Sequence, residues 1–310
     1  MSVEQQYIDL FKQHKSLIFD KSSPVLNEVR EEAFADFERM GFPTDKQEDF
    51  LYTNLSKVFE QDYGMNLKGL DIPVDPYEVF HCGVPGINSH LYFVVNDQFF
   101  HNQTYKSTLP EGVLIGSLKD YANSHPELVK KYYAKIAETN KDSTVAFNTA
   151  FAEDGFFLYV PKGVIIEKPI QLINVMRADV NLMANSRNLV IIEEGAQAKL
   201  LVCAHTMDYN NFLCNRVTEV YLGENAHYEH YKLENTHDKT VNIGSLYVDQ
   251  QAKSSLVVNE VTLHNGLTRN NVTKPQWRTC PNHSLWNGYW RQDRTHRQSH
   301  VYPARQAKLH

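Results

Sequence analysis

Residues 190–202 read VIIEEGAQAKLLV, residues 220–233 read VYLGENAHYEHYKL, and residues 246–258 read LYVDQQAKSSLVV. The three segments share one form: an apolar strand, a polar turn, an alanine and a second, alternating strand. The alanines are Ala196, Ala226 and Ala252, 30 and 26 residues apart. Apolar residues recur four positions before each alanine (Ile192, Leu222, Val248) and six before (Val190, Val220, Leu246). A unit repeated at this period buries its apolar face only by stacking on the next copy. The repeat therefore predicts a β-solenoid. A β-sandwich is the competing architecture, because some stretches also carry turn signals every ~8–12 residues.

Upstream, Phe157-Leu158-Tyr159-Val160, Val164-Ile165-Ile166, Ile170-Gln171-Leu172-Ile173 and Leu189-Val190-Ile191-Ile192 are short β-branched or aromatic runs. Pro161, Gly163, Pro169 and Gly195 punctuate them, so the chain is expected to turn to β from about Thr144. Before that point the pattern differs. Tyr7, Leu10, Phe11, Leu17 and Ile18 recur at helical spacing, and Ser22-Ser23-Pro24 opens a second helical segment that stops at Gly41. Leu91-Tyr92-Phe93-Val94-Val95 with Asn96-Asp97 and Phe99-Phe100 reads as a hairpin. Residues 118–138 read as helix. The chain thus divides into a helical region at 1–75, a mixed α/β connection at 76–143, a β core at 144–273 and a tail at 274–310.

The tail is distinct in composition. Residues 1–273 hold 24 basic and 36 acidic residues, whereas 274–310 hold seven basic and one acidic (Asp293). All three tryptophans, Trp277, Trp286 and Trp290, lie there, with five of the eleven arginines. The repeat stops at Asn271-Val272-Thr273, and no periodicity follows. Three readings are open. The tail is a basic disordered segment, or it binds RNA through Tyr289, Trp290, Arg291, Arg294 and Arg297. In the third, it is out of frame. A tryptophan codon read one base later begins GGN, which encodes glycine, and a +1 reading from Lys274 is compatible with further solenoid sequence. That reading places a GEHA turn whose alanine falls at the position of Cys280, 28 residues after Ala252. It is the favoured expectation, and it makes the chain a truncated product.

Of 310 residues, 42% are hydrophobic and 22% charged, and no run approaches the ~18 apolar residues of a membrane span. The start is polar and mixed in charge, so a membrane protein and a signal-bearing secreted protein are not expected. The four cysteines, Cys82, Cys203, Cys214 and Cys280, form no CxxC pair, which argues against a disulfide framework and makes the cytoplasm the default. Phosphate-loop, GxGxxG, GxSxG, HExxH and EF-hand patterns are absent. The weak metal candidates are Cys203 with His205, and His227 with Glu229, each pair sharing one face of a strand. His230 falls on the opposite face from His227. Ordinary surface or core roles are the competing reading, since ligand sets need three or four groups. Asp97, Glu153 and Asp154 lie within two residues of Gly or Asn and read as turn residues. A solenoid carbohydrate-active enzyme would need clustered acids on one face. None stands out, and Arg177, Arg187 and Arg216 are isolated in sequence.

Several stretches carry a resemblance. Arg30-Glu31-Glu32-Ala33-Phe34 with Phe37 and Gly41-Phe42-Pro43 is followed by Glu48-Asp49-Phe50-Leu51-Tyr52-Thr53. LYFVVNDQF at 91–99 follows. Ala146-Phe147-Asn148-Thr149-Ala150-Phe151 with Asp154-Gly155, Val160-Pro161-Lys162-Gly163-Val164 and Lys168-Pro169-Ile170 is the most specific stretch. Arg187-Asn188-Leu189-Val190-Ile191 and Glu194-Gly195-Ala196 continue it. In order and spacing these resemble the SufB/SufD family, and its SufD-type members more closely, over most of residues 20–273. Phe50 stands where the family usually has tryptophan, and Asp97 where it has glycine. The resemblance implies a helical N-terminal region and a right-handed parallel β-helix, incomplete here at its C-terminal end. It implies a non-catalytic scaffold subunit of the SUF (SufBCD) iron–sulfur assembly complex, assisting cluster assembly and iron acquisition. The implied partners are a SufB-like subunit, paired through the β-helices, and a SufC-like ATPase, whose docking helices are not found in frame. No cofactor is expected to be held firmly by this chain, the cluster being handled by the complex, and neither membrane nor nucleic acid is expected as a partner. The family's cluster-site Cys/His segment lies beyond residue 273, so no residue here inherits it.

Overall fold

The computed structural model describes residues 2–47, 50, 53–69, 88–101, 108–263, 266–273 and 283–289. Four corners in it share one backbone conformation. Gly163, Gly195, Asn225 and Lys253 have φ of 72°, 67°, 57° and 57°. Each is the third residue of a turn in which the fourth residue's N–H donates to the first residue's carbonyl. These bonds run Val164 to Pro161, Ala196 to Glu193, Ala226 to Gly223 and Ser254 to Gln251, at 3.0–3.2 Å. A positive φ at the third position suits glycine, and asparagine to a lesser degree. Lys253 takes it at a cost of about 1 kcal/mol. The corners also bond to one another: Gly163 N donates to Glu194 O, Gly195 N to Glu224 O, and Asn225 N to Ala252 O.

Strands β1 (Gly64–Met65), β2 (His90–Val95), β3 (Gln98–Phe99) and β4 (Leu114–Ser117) lead in. The corners join the strands that follow: β5 (Phe156–Val160), β6 (Ile170–Met176), β7 (Leu182–Ile192), β8 (Gln197–Thr206), β9 (Phe212–Leu222), β10 (His227–Asn235), β11 (Thr240–Gln250), β12 (Ser255–Thr262), β13 (Leu267–Thr273) and β14 (His283–Tyr289). One sheet is ordered β13-β11-β9-β7-β5-β4, with β1 beside β7, and the other β14-β12-β10-β8-β6-β2-β3; from β5 on, the odd strands fall in the first sheet and the even strands in the second. Among β5 to β14 all pairing is parallel, whereas β4 pairs antiparallel with β5. Each coil therefore gives one strand to each sheet, a parallel β-solenoid of about four turns. Parallel pairing excludes the β-sandwich, whose sheets are antiparallel. The tail, read as lacking periodicity, contributes β14, with Ser255 opposite His283. Its remaining residues, with Cys82, Cys280, Trp277, Trp290, Arg291, Arg294 and Arg297, lie outside the described residues.

The register refines the repeat. Ala196 and Ala226 are equivalent, since Gln197 pairs with His227. The third copy is displaced by two residues. His227 pairs with Ser255 and Val220 with Val248, so Ser254, not Ala252, matches Ala226. Gln250 then stands where Ile192 and Leu222 stand. A two-residue slip preserves strand parity, so each side chain keeps its face while its stacking neighbour changes.

Two other expectations change. Residues 143–151 form a helix rather than the start of the β core. Every residue of this segment, Ser143–Phe151, is buried, so it shows no amphipathic period; Asp142 caps it through the Thr144 N–H at 2.8 Å. The helix expected over 118–138 is split into Leu118–Ser124 and Pro126–Tyr132. Pro126 has no N–H to continue the first ladder. Val164-Ile165-Ile166 makes only a single bridge, Ile165 to Gln197.

The N-terminal helices Val3–Asp20, Pro24–Asn27, Arg30–Met40 and Leu55–Phe59 pack with Ser143–Phe151 on the outer face of the odd-strand sheet. Tyr7, Phe11, Phe37, Phe42, Phe59 and Phe147 make edge-to-face and stacked pairs there. Fully buried Arg30 clamps this layer, donating to Ala150 O (2.6 Å) and Ala152 O (2.9 Å). No helix among the described residues is long and apolar enough to cross a membrane.

Candidate functional site

Inward and outward positions alternate along each strand, and the coils differ in what points inward. In the early coils Leu158, Val190 and Val220 stack as one interior column, and Leu172 and Leu200 face them from the other sheet. In the later coils part of the interior becomes polar, beside an apolar strip that Leu246, Val248, Leu256 and Val258 continue. On β10, Tyr228, His230, Lys232 and Glu234 all point inward. His230 occupies the column of Ile170, Leu200 and Val258. A pocket lies here, lined by Arg216, His230, Lys232, Glu234, Glu260 and Asn270 among others.

The groups in this cavity hold one another. Lys232 Nζ lies 2.7 Å from Glu234 Oε1 and donates to Asn270 Oδ1 at 2.7 Å. Glu234 Oε2 accepts from Thr262 (3.1 Å) and Thr268 (3.0 Å). Gly244 makes the room: a Cβ there would fall 2.6 Å from Asn270 Oδ1 and 2.9 Å from Lys232 Nζ. Burial raises the Glu260 carboxyl above the usual range, against the pull of Lys232. Burial and Lys232 together push His230 down to about 3, so it is neutral, with its Nδ1 3.0 Å from the Tyr228 hydroxyl. Arg216, isolated in sequence, lies among these groups. Arg187, also isolated in sequence, is ion-paired with Glu219 at 2.9 Å between the odd-strand sheet and the helices, and Glu219 accepts three further N–H groups there.

The four metal candidates all lie on the outer face of the even-strand sheet, but they do not converge. Cys203 is opposite Leu233 and His205 opposite Asn235, whereas His227 is opposite Gln197 and Glu229 opposite Lys199. The two pairs are thus four or more positions apart along the strands, over 10 Å at ~3.3 Å per residue. Cys203 is buried among Phe93, Ile173 and Val175. Burial lowers the His205 pKa. His227 and Glu229 do meet: Nε2 lies 3.0 Å from Oε1. Glu229 also accepts from Tyr231 (2.5 Å) and Lys199 (3.1 Å). Despite its partial burial, these three bonds hold its carboxyl at about 2. A carboxylate so engaged is poorly placed to take a metal. Among the described residues no group of three or more His, Cys, Asp or Glu side chains is arranged to hold one.

The turn carboxylates behave differently from one another. Asp97 occupies the left-handed second position of the β2–β3 turn, with φ of 75°. Burial pushes it up to about 8, and Glu153 up to about 7. Asp154 accepts from Ser117 Oγ (2.7 Å), Phe99 N (3.0 Å) and Lys119 N (3.1 Å) and ties three segments together.

The interior charges were not singled out from the sequence. Their signal was parity: in HYEHYKLEN, residues 228, 230, 232 and 234 share the face that is apolar in the preceding strand, at Ala198, Leu200, Val202 and Ala204. Ser255, beside His227 at 2.5 Å, was hidden by the two-residue slip, which set Lys253 opposite His227.

Comparisons with known proteins agree with this architecture. Residues 1–172 match the family model described as SufBD protein N-terminal region, and residues 174–278 match that of the SUF system FeS cluster assembly, SufBD core domain. Similar curated proteins include an iron–sulfur cluster assembly SufBD family protein of Synechocystis sp., 30% identical over 205 residues, covering 63% of this chain and 41% of that protein. A chloroplastic protein of the same description from Arabidopsis thaliana is 29% identical over 137 residues, 43% of this chain and 24% of its own length. One from Staphylococcus aureus is 25% identical over 167 residues, 52% and 36%. The chain spans about half the length, or less, of the curated relatives it matches.

Proposed function

This chain belongs to the SufBD family of iron–sulfur cluster assembly proteins, and from that premise we propose that it is a SufD-like, non-catalytic scaffold subunit of a SufBCD-type complex. The observation that carries the reading is the order of the two family matches along a helical layer and one continuous β-solenoid. The subunit pairs with a SufB-like partner through the β-helices. Among the described residues β13 and β14 stand at the ends of the two sheet orders. Strand edges of this kind favour pairing with another strand. A SufC-like ATPase completes the assembly, and the cluster is cargo of the complex, not a group resident in this chain. The reading assigns no cluster ligand to Cys203, His205, His227 or Glu229.

The test is reconstitution. SufB-like and SufC-like proteins are loaded with ferrous iron and sulfide, with and without this chain, and cluster formation is followed by visible absorption. The reading expects co-purification of all three proteins and faster or more complete cluster formation with the chain present. It is overturned if the other two assemble and build clusters equally well while this chain elutes alone.

A further inference from the structure

The outer face of the even-strand sheet carries an arrangement that the assembly role does not use. His227 and Ser255 are directly paired neighbours on β10 and β12, and Ser255 Oγ lies 2.5 Å from His227 Nδ1. The other ring nitrogen, Nε2, lies 3.0 Å from Glu229 Oε1. Glu229 is itself fixed by the Tyr231 hydroxyl on Oε2 and by Lys199 Nζ on Oε1. The imidazole is a third exposed, and Ser255 is half-buried, so solvent molecules reach both.

We propose that Ser255 is an activated nucleophile, with His227 as its general base and Glu229 as a positioning residue, and that it accepts acyl groups from activated esters.

Three features support this. A serine hydroxyl is a weak nucleophile until an adjacent base takes its proton. The base must itself be held in one tautomer, and the carboxylate does this by accepting the Nε2–H, which leaves the Nδ1 lone pair facing the hydroxyl. The charge of Glu229 is already balanced by Lys199 at 3.1 Å, so the imidazole need not be protonated to satisfy it. Among the residues whose side chains are described, the remaining titratable group in contact with this cluster is Tyr231, whose phenol is pushed up to about 12 by its bond to Glu229 and stays neutral; His283 on β14 is the ladder neighbour of Ser255.

The step balances without any further reagent. Ser255 Oγ forms a bond to the ester carbonyl carbon, and its proton passes to His227 Nδ1. The ester C–O bond breaks, and the leaving alkoxide takes that proton or departs as the anion. The product is an acyl-Ser255 ester. In a parallel ladder the backbone N–H groups lie in the sheet and pair with neighbouring strands, so the backbone offers the serine no oxyanion hole. The expected behaviour is therefore slow, stoichiometric acylation and not rapid turnover.

The test uses the full chain and p-nitrophenyl acetate, reading nitrophenolate release and the site of acetylation by peptide mass spectrometry. One equivalent of nitrophenolate is expected, with the acetyl group on Ser255. Ser255→Ala abolishes the burst, and His227→Ala slows it about 100-fold. Glu229→Gln slows the burst and alters its pH profile, because the imidazole loses the acceptor that holds its tautomer; Glu229→Asp restores the original profile. Thermal melts of the variants keep a folding failure distinguishable from a chemical one, and Ser255→Cys, which retains a nucleophile, remains reactive. Acetylation confined to lysines, or a burst unchanged in Ser255→Ala, overturns the proposal.

Discussion

The early and late coils of the solenoid share one backbone and differ in what they enclose. Around β5 to β9 the interior is a column of Leu158, Val190 and Val220 faced by Leu172 and Leu200. Around β10 to β13 Val248 continues the first column, but His230 stands in line with Leu200, Lys232 and Glu260 stand in line with Leu172 and Val202, and Glu234 and Asn270 lie beside them. The coil therefore depends on its corners and its parity, and tolerates either lining. The energetics differ sharply. Apolar columns stabilise by area removed from water. A buried ion pair returns little net stability, because desolvating two charges offsets their attraction, yet it is costly to break.

Breaking the polar half is expected to have the largest effect. Lys232→Ala leaves Glu234, 1% exposed, without its cation and should cost about 3–5 kcal/mol in urea unfolding. The double change Lys232→Met with Glu234→Leu sharpens the point. It should be no less stable than the parent, and a loss as large as that of the single change would mean that the pair itself is strongly stabilising. In the apolar half, Leu200→Ala should cost about 2–5 kcal/mol through transfer and cavity terms. A loss below about 1 kcal/mol would show a loosely packed interior.

Next in size is a pH effect confined to the polar half. His230 titrates near 3 in the folded chain, against an ordinary value of 6.5. Between those values the unfolded chain binds a proton that the folded chain does not. Stability should thus be fully present above about 6.5 and fall as pH drops toward 3, with a slope of at most about 1.4 kcal/mol per pH unit from this group. His230→Gln should flatten that part of the curve; an unchanged curve would assign the effect elsewhere. At the small end, Lys162→Ala removes a solvated corner pair with Glu194 (2.8 Å) and should leave the melting temperature unchanged.

Much of the fold was legible in the sequence because the corners carry their own chemistry. Gly163, Gly195 and Asn225 mark left-handed positions, and the β-branched runs between them fix parity. The fourth corner was harder. Its left-handed residue is Lys253, which gives no turn signal, and Ala252 two positions from the true match drew the alignment to itself. Helix Ser143–Phe151 was missed for another reason: a segment buried on every side has no amphipathic period. The candidate site was less legible. Parity correctly put His227 beside Glu229 and turned His230 away. The cross-coil partners, Ser255 for His227 and Asn270 for Lys232, depend on a register that only the folded coil defines.

The most direct test of the scaffold account is amide hydrogen exchange of this chain alone and mixed with a SufB-like partner. Pairing through the β-helices predicts slowed exchange concentrated in β12 to β14, with the helices of residues 3–59 unchanged. Protection confined to those helices, or no protection in any strand while the complex forms, would contradict it.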